Sequence, residues 1–415
     1  MTLQVVSIII LAAMFVLATW RGVNMGLLGF VAAARFGMFG LGLDIEDSLA
    51  GFPVDLFVAL VGLTYLFGFA QNNGVIDVIV GWCLRALRGR VGLAPWIFFW
   101  LTAALIAAGA LFAVAIVAPL ALRFARRNRL NSFMTGLLVV HGALAGAFSP
   151  ISVYGIFIND YLTSNGFATS AAALFVIPLI FNLVFAAVVW LVLRNRPGPQ
   201  VAEDVALAES GPTRTPLDRY QILTLIGLLV MAVAVIGFGA DIGVTALAVA
   251  IVLAAWKPKE GRAALSKVSW PVVVLICGVL CYITMLQEAG TVDWVSAGIA
   301  GLGVPLVAAL LLFYVAGLVS ALASSLGIIG LVIALAGPFL ASGEVNVIGF
   351  VVALAIAATI VDISPFSTNG AMLLANVDER VRERYYRQML IYAGLMCLIG
   401  PGLAWLITAV PTVLA

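Results

Sequence analysis

The sequence predicts an all-α polytopic membrane protein: about ten transmembrane helices plus two re-entrant hairpins, in two inverted-topology repeats. Three observations predict it. Of the 415 residues, 64% are hydrophobic and only 10% charged, with a mean hydropathy of +1.19, whereas soluble domains run nearer half apolar and about a quarter charged. Apolar stretches of the roughly 20 residues needed to cross a bilayer recur from end to end. Two polar motifs each occur twice, at nearly the same separation along the chain.

The apolar runs fall near 3–20, 22–41, 54–70, 93–122, 133–159 and 169–193. The first has no basic leader and no small-residue cleavage site, so it reads as a retained span rather than a signal peptide. A polar stretch at 194–219 is the linker of the chain. Runs near 220–237, 242–256, 270–287, 304–340, 346–375 and 388–411 follow it. "QNNGVID" (71–77) returns as "QEAGTVD" (287–293) at an offset of 216 residues, and "SPISVYG" (149–155) as "SPFSTNG" (364–370) at an offset of 215. Residues 1–193 and 220–415 therefore read as two repeats. Weak duplication with interrupted apolar segments at matching positions is the signature of a secondary transporter with its site between the halves.

The runs at 93–122 and 304–340 are too long for one span, and each has small residues near its middle. The positive-inside rule decides how they lie. Of 21 Lys and Arg, Arg35 sits within a span and is read as a snorkelling or packing residue. If 93–122 crosses and 133–159 does not, the other 20 split 16 to 4 between the two faces; if 93–122 and 304–340 are re-entrant hairpins, all 20 share one face. The hairpin reading gives five crossings per half, an inverted second half, a cytoplasmic linker and both termini outside. Residues 74–90 and 291–303 become short amphipathic helices leading to the hairpins.

The segment "DISPFSTNGA" (362–371) concentrates polarity within an apolar run. Proline removes a backbone donor and clashes with the preceding turn, and glycine accepts non-helical dihedrals. Runs 133–159 and 346–375 are thus expected to be pairs of half-helices joined by unwound loops. Such irregular backbone is tolerated at membrane depth where protein or a water-filled cavity covers it. Half-helix N-termini suit a carboxylate, while unwound carbonyls and Ser, Thr and Asn oxygens suit a hard cation. Asp362 is a carboxylate inside a span, a position that defaults to function, here ion coordination or proton transfer; the alternative is a cap on the broken helix. His141, eight residues before Ser149, is a candidate to shuttle protons or pair with a carboxylate, against a packing role. The four cysteines match no metal site and read as small buried residues.

"AGFPVDLFVALVGLTYLFGFAQNNG", "GRVGLAPW", "VAIVAPLAL" and "HGALAGAFSPISVYG" resemble the bacterial malonate/C4-dicarboxylate carriers (MatC-type) of the ion-transporter superfamily. These are distant relatives of divalent-anion/sodium symporters. The resemblance implies an elevator-type transporter of the inner membrane, a homodimer held by scaffold helices, and no enzymatic activity. The sodium-coupled relatives carry Ser-Asn-Thr at each hairpin tip, where this chain has Gly109-Ala110-Leu111 and Ser324-Ser325-Leu326.

Together these readings assign Ser152, Tyr154, Ser325, Ser367, Thr368, Asn369 and His141 to a small dicarboxylate. They assign Ser149, Gly109, Ser324, Asp362 and Ser364 to a coupling cation, with sodium ahead of proton because the Ser/Thr/Asn cluster favours a coordinated ion. No cofactor beyond sodium is expected. Basic residues lie in short loops rather than on one face, so no nucleic-acid partner is expected; the lipid bilayer is. No phosphate-binding Gly-Lys-Ser/Thr sequence exists for a pump, and no catalytic constellation for an enzyme. A cation/proton antiporter, or an inorganic-anion carrier of the same superfamily, is the alternative.

Overall fold

Side-chain caps decide where many of the helices begin. In a computed structural model, residues 2–86, 91–195, 217–300, 305–321, 325–341 and 345–409 are described, and these are helical with short connections. The first half runs α1 (Thr2–Arg21), α2 (Met25–Phe36, extended by a π-type turn), α3 (Ile45–Ser48), α4 (Val54–Asn72) and α5 (Val75–Ala86). It continues through α6 (Ala94–Ala107), α7 (Ala113–Arg127), α8 (Ser132–Gly146), α9 (Val153–Ser164) and α10 (Ala171–Leu193). The second half runs α11 (Arg219–Phe238), α12 (Ile242–Trp256), α13 (Pro258–Leu265), α14 (Trp270–Glu288) and α15 (Thr291–Ala300). It ends with α16 (Pro305–Ser320), α17 (Ser325–Ala341), α18 (Val347–Thr359), α19 (Thr368–Ala375) and α20 (Glu379–Ala404).

The two halves start corresponding helices with the same chemistry. Asn131 caps α8 and Asn346 caps α18, each through a backbone N–H three residues on at 3.0 Å. Ser152 caps α9 and Ser367 caps α19 in the same way. A capping oxygen satisfies one of the orphan donors of a first turn and contributes about 1 kcal/mol.

Both long apolar runs are interrupted where small residues were noted. Run 93–122 is α6 and α7, joined through Gly109 at φ +107°, a conformation other residues rarely adopt. Run 304–340 is α16 and α17. Both arms of each pair pack on the helix that follows, α8 and α18 respectively. The two polar motifs break their runs as expected, between α8 and α9 and between α18 and α19.

The structure departs most from the sequence reading at α20 and α13. Helix α20 begins at Glu379 rather than near 388, because Asp378 caps it and the Glu/Arg-rich stretch that follows is made of good helix formers. The loop between the second and third spans of the second half contains α13, started by Pro258 at its first position, where proline's missing donor costs nothing.

Helix packing crosses between the halves. The pairs α2 with α14 and α4 with α12 are among the most extensive helix contacts, although each joins residues some 200 positions apart. Glycines bring the backbones together: Gly26 and Gly29 against Gly278, Gly62 against Gly243. Without a hydrophobic driving force inside lipid, small residues that allow close van der Waals contact hold such pairs. Ile9, Val188, Leu229, Val252, Leu318 and Leu398 are each at least half exposed, an apolar surface of the kind a bilayer covers. Among the described residues, four helices are long and apolar enough to cross a membrane by themselves: α4, α10, α14 and α20 with its final turn; others, α8, α12 and α16 among them, are apolar but shorter.

Candidate functional site

Each break is built from one serine-centred pattern, used twice. In the first, the Ser152 hydroxyl lies 2.7 Å from the Ser149 carbonyl and accepts from Gly155 N–H at 3.1 Å. In the second, the Ser367 hydroxyl lies 2.7 Å from the Ser364 carbonyl and accepts from Gly370 N–H at 3.4 Å. The earlier serine also turns back on the loop: Ser149 Oγ accepts from Ile151 N–H and Ser364 Oγ from Phe366 N–H, both at 3.3 Å. Gly155 and Gly370 close the motif. A Cβ on either would stand 1.9 Å from the Ser149 or Ser364 carbonyl oxygen, so only glycine permits the turn to fold back this tightly.

Hydrogen bonds tie the hairpin pairs to these breaks. Ser149 Oγ donates to the Ala107 carbonyl at 2.7 Å, at the end of α6. Gly109 sits against the Ile151 carbonyl and the side chains of Leu63 and Phe67. At the other pair, Ser320 bonds Ser325 at 2.8 Å and also reaches the Ala358 carbonyl. Ser324 lies outside the described residues.

Between the breaks lies a cavity of about 40 Å³, lined by Ile106, Leu111, Phe112, Ala143, Leu144, Ala147, Tyr154, Val272, Thr359, Asp362, Thr368 and Asn369. It draws on the first hairpin tip, both breaks and α14. Room for about one to three waters is far below the roughly 300–1,000 Å³ of a small-molecule site, so the cavity is closed around its polar groups. Asp362 is 2% exposed and accepts from Asn369 Nδ2 at 3.0 Å. The backbone N–H groups of Thr368 and Asn369 also lie beside it. All these contacts are donors, so a cation at Asp362 has to displace one of them. Tyr154, at the start of α9, shares a hydrogen bond with Ser325 and faces Asp362 across the cavity.

Of the residues expected to meet substrate, Tyr154, Thr368 and Asn369 line the cavity, and Ser325 reaches it through Tyr154. Ser152 and Ser367 are 1% exposed and spend their hydroxyls on the turns. His141 is elsewhere. Its Nδ1 meets Asn182 Oδ1 at 3.0 Å and its Nε2 meets Tyr392 Oη at 2.7 Å, tying α8 to α10 and α20. Asn182 Nδ2 donates to the Pro178 carbonyl, so Asn182 Oδ1 is an acceptor, Nδ1 carries the imidazole proton and Tyr392 donates to Nε2. His141, expected to bind substrate, does not line the cavity; both its nitrogens are used in packing. Of the expected cation ligands, Asp362 lines the cavity, whereas Ser149, Ser364 and Gly109 shape its loops. Sequence reasoning missed Thr359 and Ala147. Thr359 lies one helical turn before Asp362, a spacing that puts it on the same face; nothing in the sequence singles out Ala147 except its alignment with Asp362.

Two wider openings lie at the far ends of the half-helices. One, about 310 Å³, meets the end of α9 at Ser164 and Asn165, with Asp55, Asp160 and Gln287. The other, about 690 Å³, meets the end of α19 at Asn376, with Arg123, Arg126, Arg380 and Arg382 beside Asp378 and Glu379. Among the described residues no group of three or more His, Cys, Asp or Glu is placed to hold a metal ion.

Residues 1–147 match the family described as dicarboxylate carrier protein MatC, N-terminus. The whole fold is similar to the crystal structure of the YdaH transporter of Alcanivorax borkumensis, with a TM-score of 0.58 over 86% of each chain at 14% sequence identity. No curated protein matches the chain.

Proposed function

We propose that this chain, which matches the MatC-type dicarboxylate carriers over its first 147 residues, is a secondary transporter that moves a small dicarboxylate of malonate or succinate type across the inner membrane with a coupling cation. The observation that carries the reading is the closed cavity where two half-helix N-termini meet, lined by Tyr154, Thr368 and Asn369. Helix N-termini present free N–H groups and partial positive charge to an anion, and Tyr and Asn side chains add donors. The matched family is one of carriers and the fold is that of a transporter, so the chain is not an enzyme.

The two wider openings support an alternating-access reading. Each lies at the far end of a half-helix whose near end lines the cavity, one arginine-rich and one acidic. The arginine-lined opening is the cytoplasmic one by the positive-inside rule. In this reading the chain crosses ten times in two inverted repeats, with both termini outside. Helices α6–α10 and α16–α20 move as a body against a scaffold that includes α2, α4, α12 and α14, and the scaffold joins two copies in a homodimer. The tight glycine-mediated pairs α2/α14 and α4/α12 suit a part that stays rigid. Sodium is set ahead of proton as the coupling ion because the loops offer Ser, Thr and Asn oxygens beside one carboxylate.

The test is uptake by proteoliposomes of labelled malonate or succinate, against labelled sodium, under an imposed sodium gradient and then an imposed pH gradient. Dicarboxylate uptake driven by either gradient supports the reading, and the gradient that drives it identifies the ion. Sodium flux without carboxylate flux favours an antiporter and overturns it.

A further inference from the structure

The two breaks share their hydrogen-bond pattern but differ at one cavity-lining position. Five residues before the capping serine, the first has Ala147 and the second Asp362. A methyl group therefore stands beside the start of α9. At the start of α19 a carboxylate already takes the hydrogen bond of Asn369 and occupies the place beside the backbone N–H groups of Thr368 and Asn369. These are the donors that a carboxylate arriving at α19 would need. Among the described residues no Lys, Arg or His lines the cavity, so no basic side chain there offsets a second negative charge; the neutral polar groups facing Asp362 are Tyr154, Thr359, Thr368 and Asn369.

We infer that Asp362 determines which carboxylates the site accepts, by competing with the distal carboxylate of the substrate for the N-terminus of α19. One substrate carboxylate takes the open end at α9, beside Tyr154. The second enters only as Asp362 gives up its donors, because two carboxylates cannot both ionise comfortably in one water-poor site. A monocarboxylate meets no such competitor. This rests on the carboxylate-transport reading and adds to it the group that sets substrate charge.

The test is ligand-induced thermal stabilisation of the purified full-length protein by propionate, malonate and succinate, for the wild type, Asp362→Asn and Ala147→Asp. Asparagine keeps the shape of residue 362 and removes its charge. It is expected to raise dicarboxylate affinity about tenfold more than propionate affinity, the scale of an ordinary coupling between two occupants. Ala147→Asp places a competitor at the other end and is expected to weaken all three ligands. An unchanged or lowered succinate-to-propionate ratio in Asp362→Asn overturns the inference, and so do unchanged affinities in Ala147→Asp. A wild type that no carboxylate stabilises removes the transport reading as well, whereas carboxylate binding indifferent to both substitutions removes this inference alone.

Discussion

Gly26 and Gly278 meet backbone to backbone: a Cβ built on Gly278 would stand 1.9 Å from the Gly26 carbonyl oxygen. The contact joins α2 of the first half to α14 of the second, and its counterpart at Gly62 and Gly243 joins α4 to α12. Gly278→Val is expected to lower the unfolding temperature in detergent, at a cost of about 1–3 kcal/mol or more for overpacking. Gly394, in α20, has nothing within 4 Å of a Cβ. Gly394→Ala is therefore expected to leave stability unchanged or raise it by about 0.5–1 kcal/mol through helix propensity. Equal effects of the two substitutions would show that the glycine contact is not a packing constraint.

The breaks depend on Gly155 and Gly370 in the same steric sense. Alanine at either position drives a methyl group into a carbonyl oxygen at 1.9 Å, and that backbone cannot move aside without reshaping the loop. Gly370→Ala and Gly155→Ala are each expected to abolish dicarboxylate uptake while the protein still reaches the membrane. Ser152→Ala and Ser367→Ala lose a cap and are expected to destabilise by about 1 kcal/mol. Uptake at wild-type rates in either glycine variant would mean that the loops relax freely.

His141 and Asn369 separate packing from binding. Asn369 lines the cavity and bonds Asp362. A hydrogen bond to a charged group is worth about 1.5–3 kcal/mol, so Asn369→Ala is expected to weaken dicarboxylate binding about tenfold to a hundredfold. His141→Leu leaves Asn182 and Tyr392 without their partner, a loss of about 1–3 kcal/mol, and should lower the unfolding temperature without weakening the ligand's effect. A His141 variant with normal stability and lost binding would return the histidine to the site.

Orientation has its own test in living cells. Glu46 and Glu383 are both exposed and stand on opposite sides in the inverted-repeat arrangement. A cysteine at 46 is expected to react with an impermeant maleimide in intact cells, and a cysteine at 383 only after the membrane is opened. Labelling of 383 in intact cells would remove the cytoplasmic assignment of the arginine-lined opening.

The two helix breaks and the interruptions of both long apolar runs were legible from the chain alone. Each rests on a few neighbouring residues. Proline, glycine and a capping serine act within about one turn, and apolar length acts within one run, so sequence carries them whole. What each polar side chain faces was decided elsewhere. Ser149, Ser152, Ser364 and Ser367 hold their own loops, because an unwound backbone in an apolar interior must first satisfy its own donors and acceptors. His141 turns to Asn182 and Tyr392, and Tyr392 is 251 residues away. Ala147 becomes informative only when it is found across the same cavity as Asp362. A motif determines the local path of the backbone; which side chains share a cavity depends on helices packed from distant parts of the chain, and that arrangement exists only in the tertiary structure.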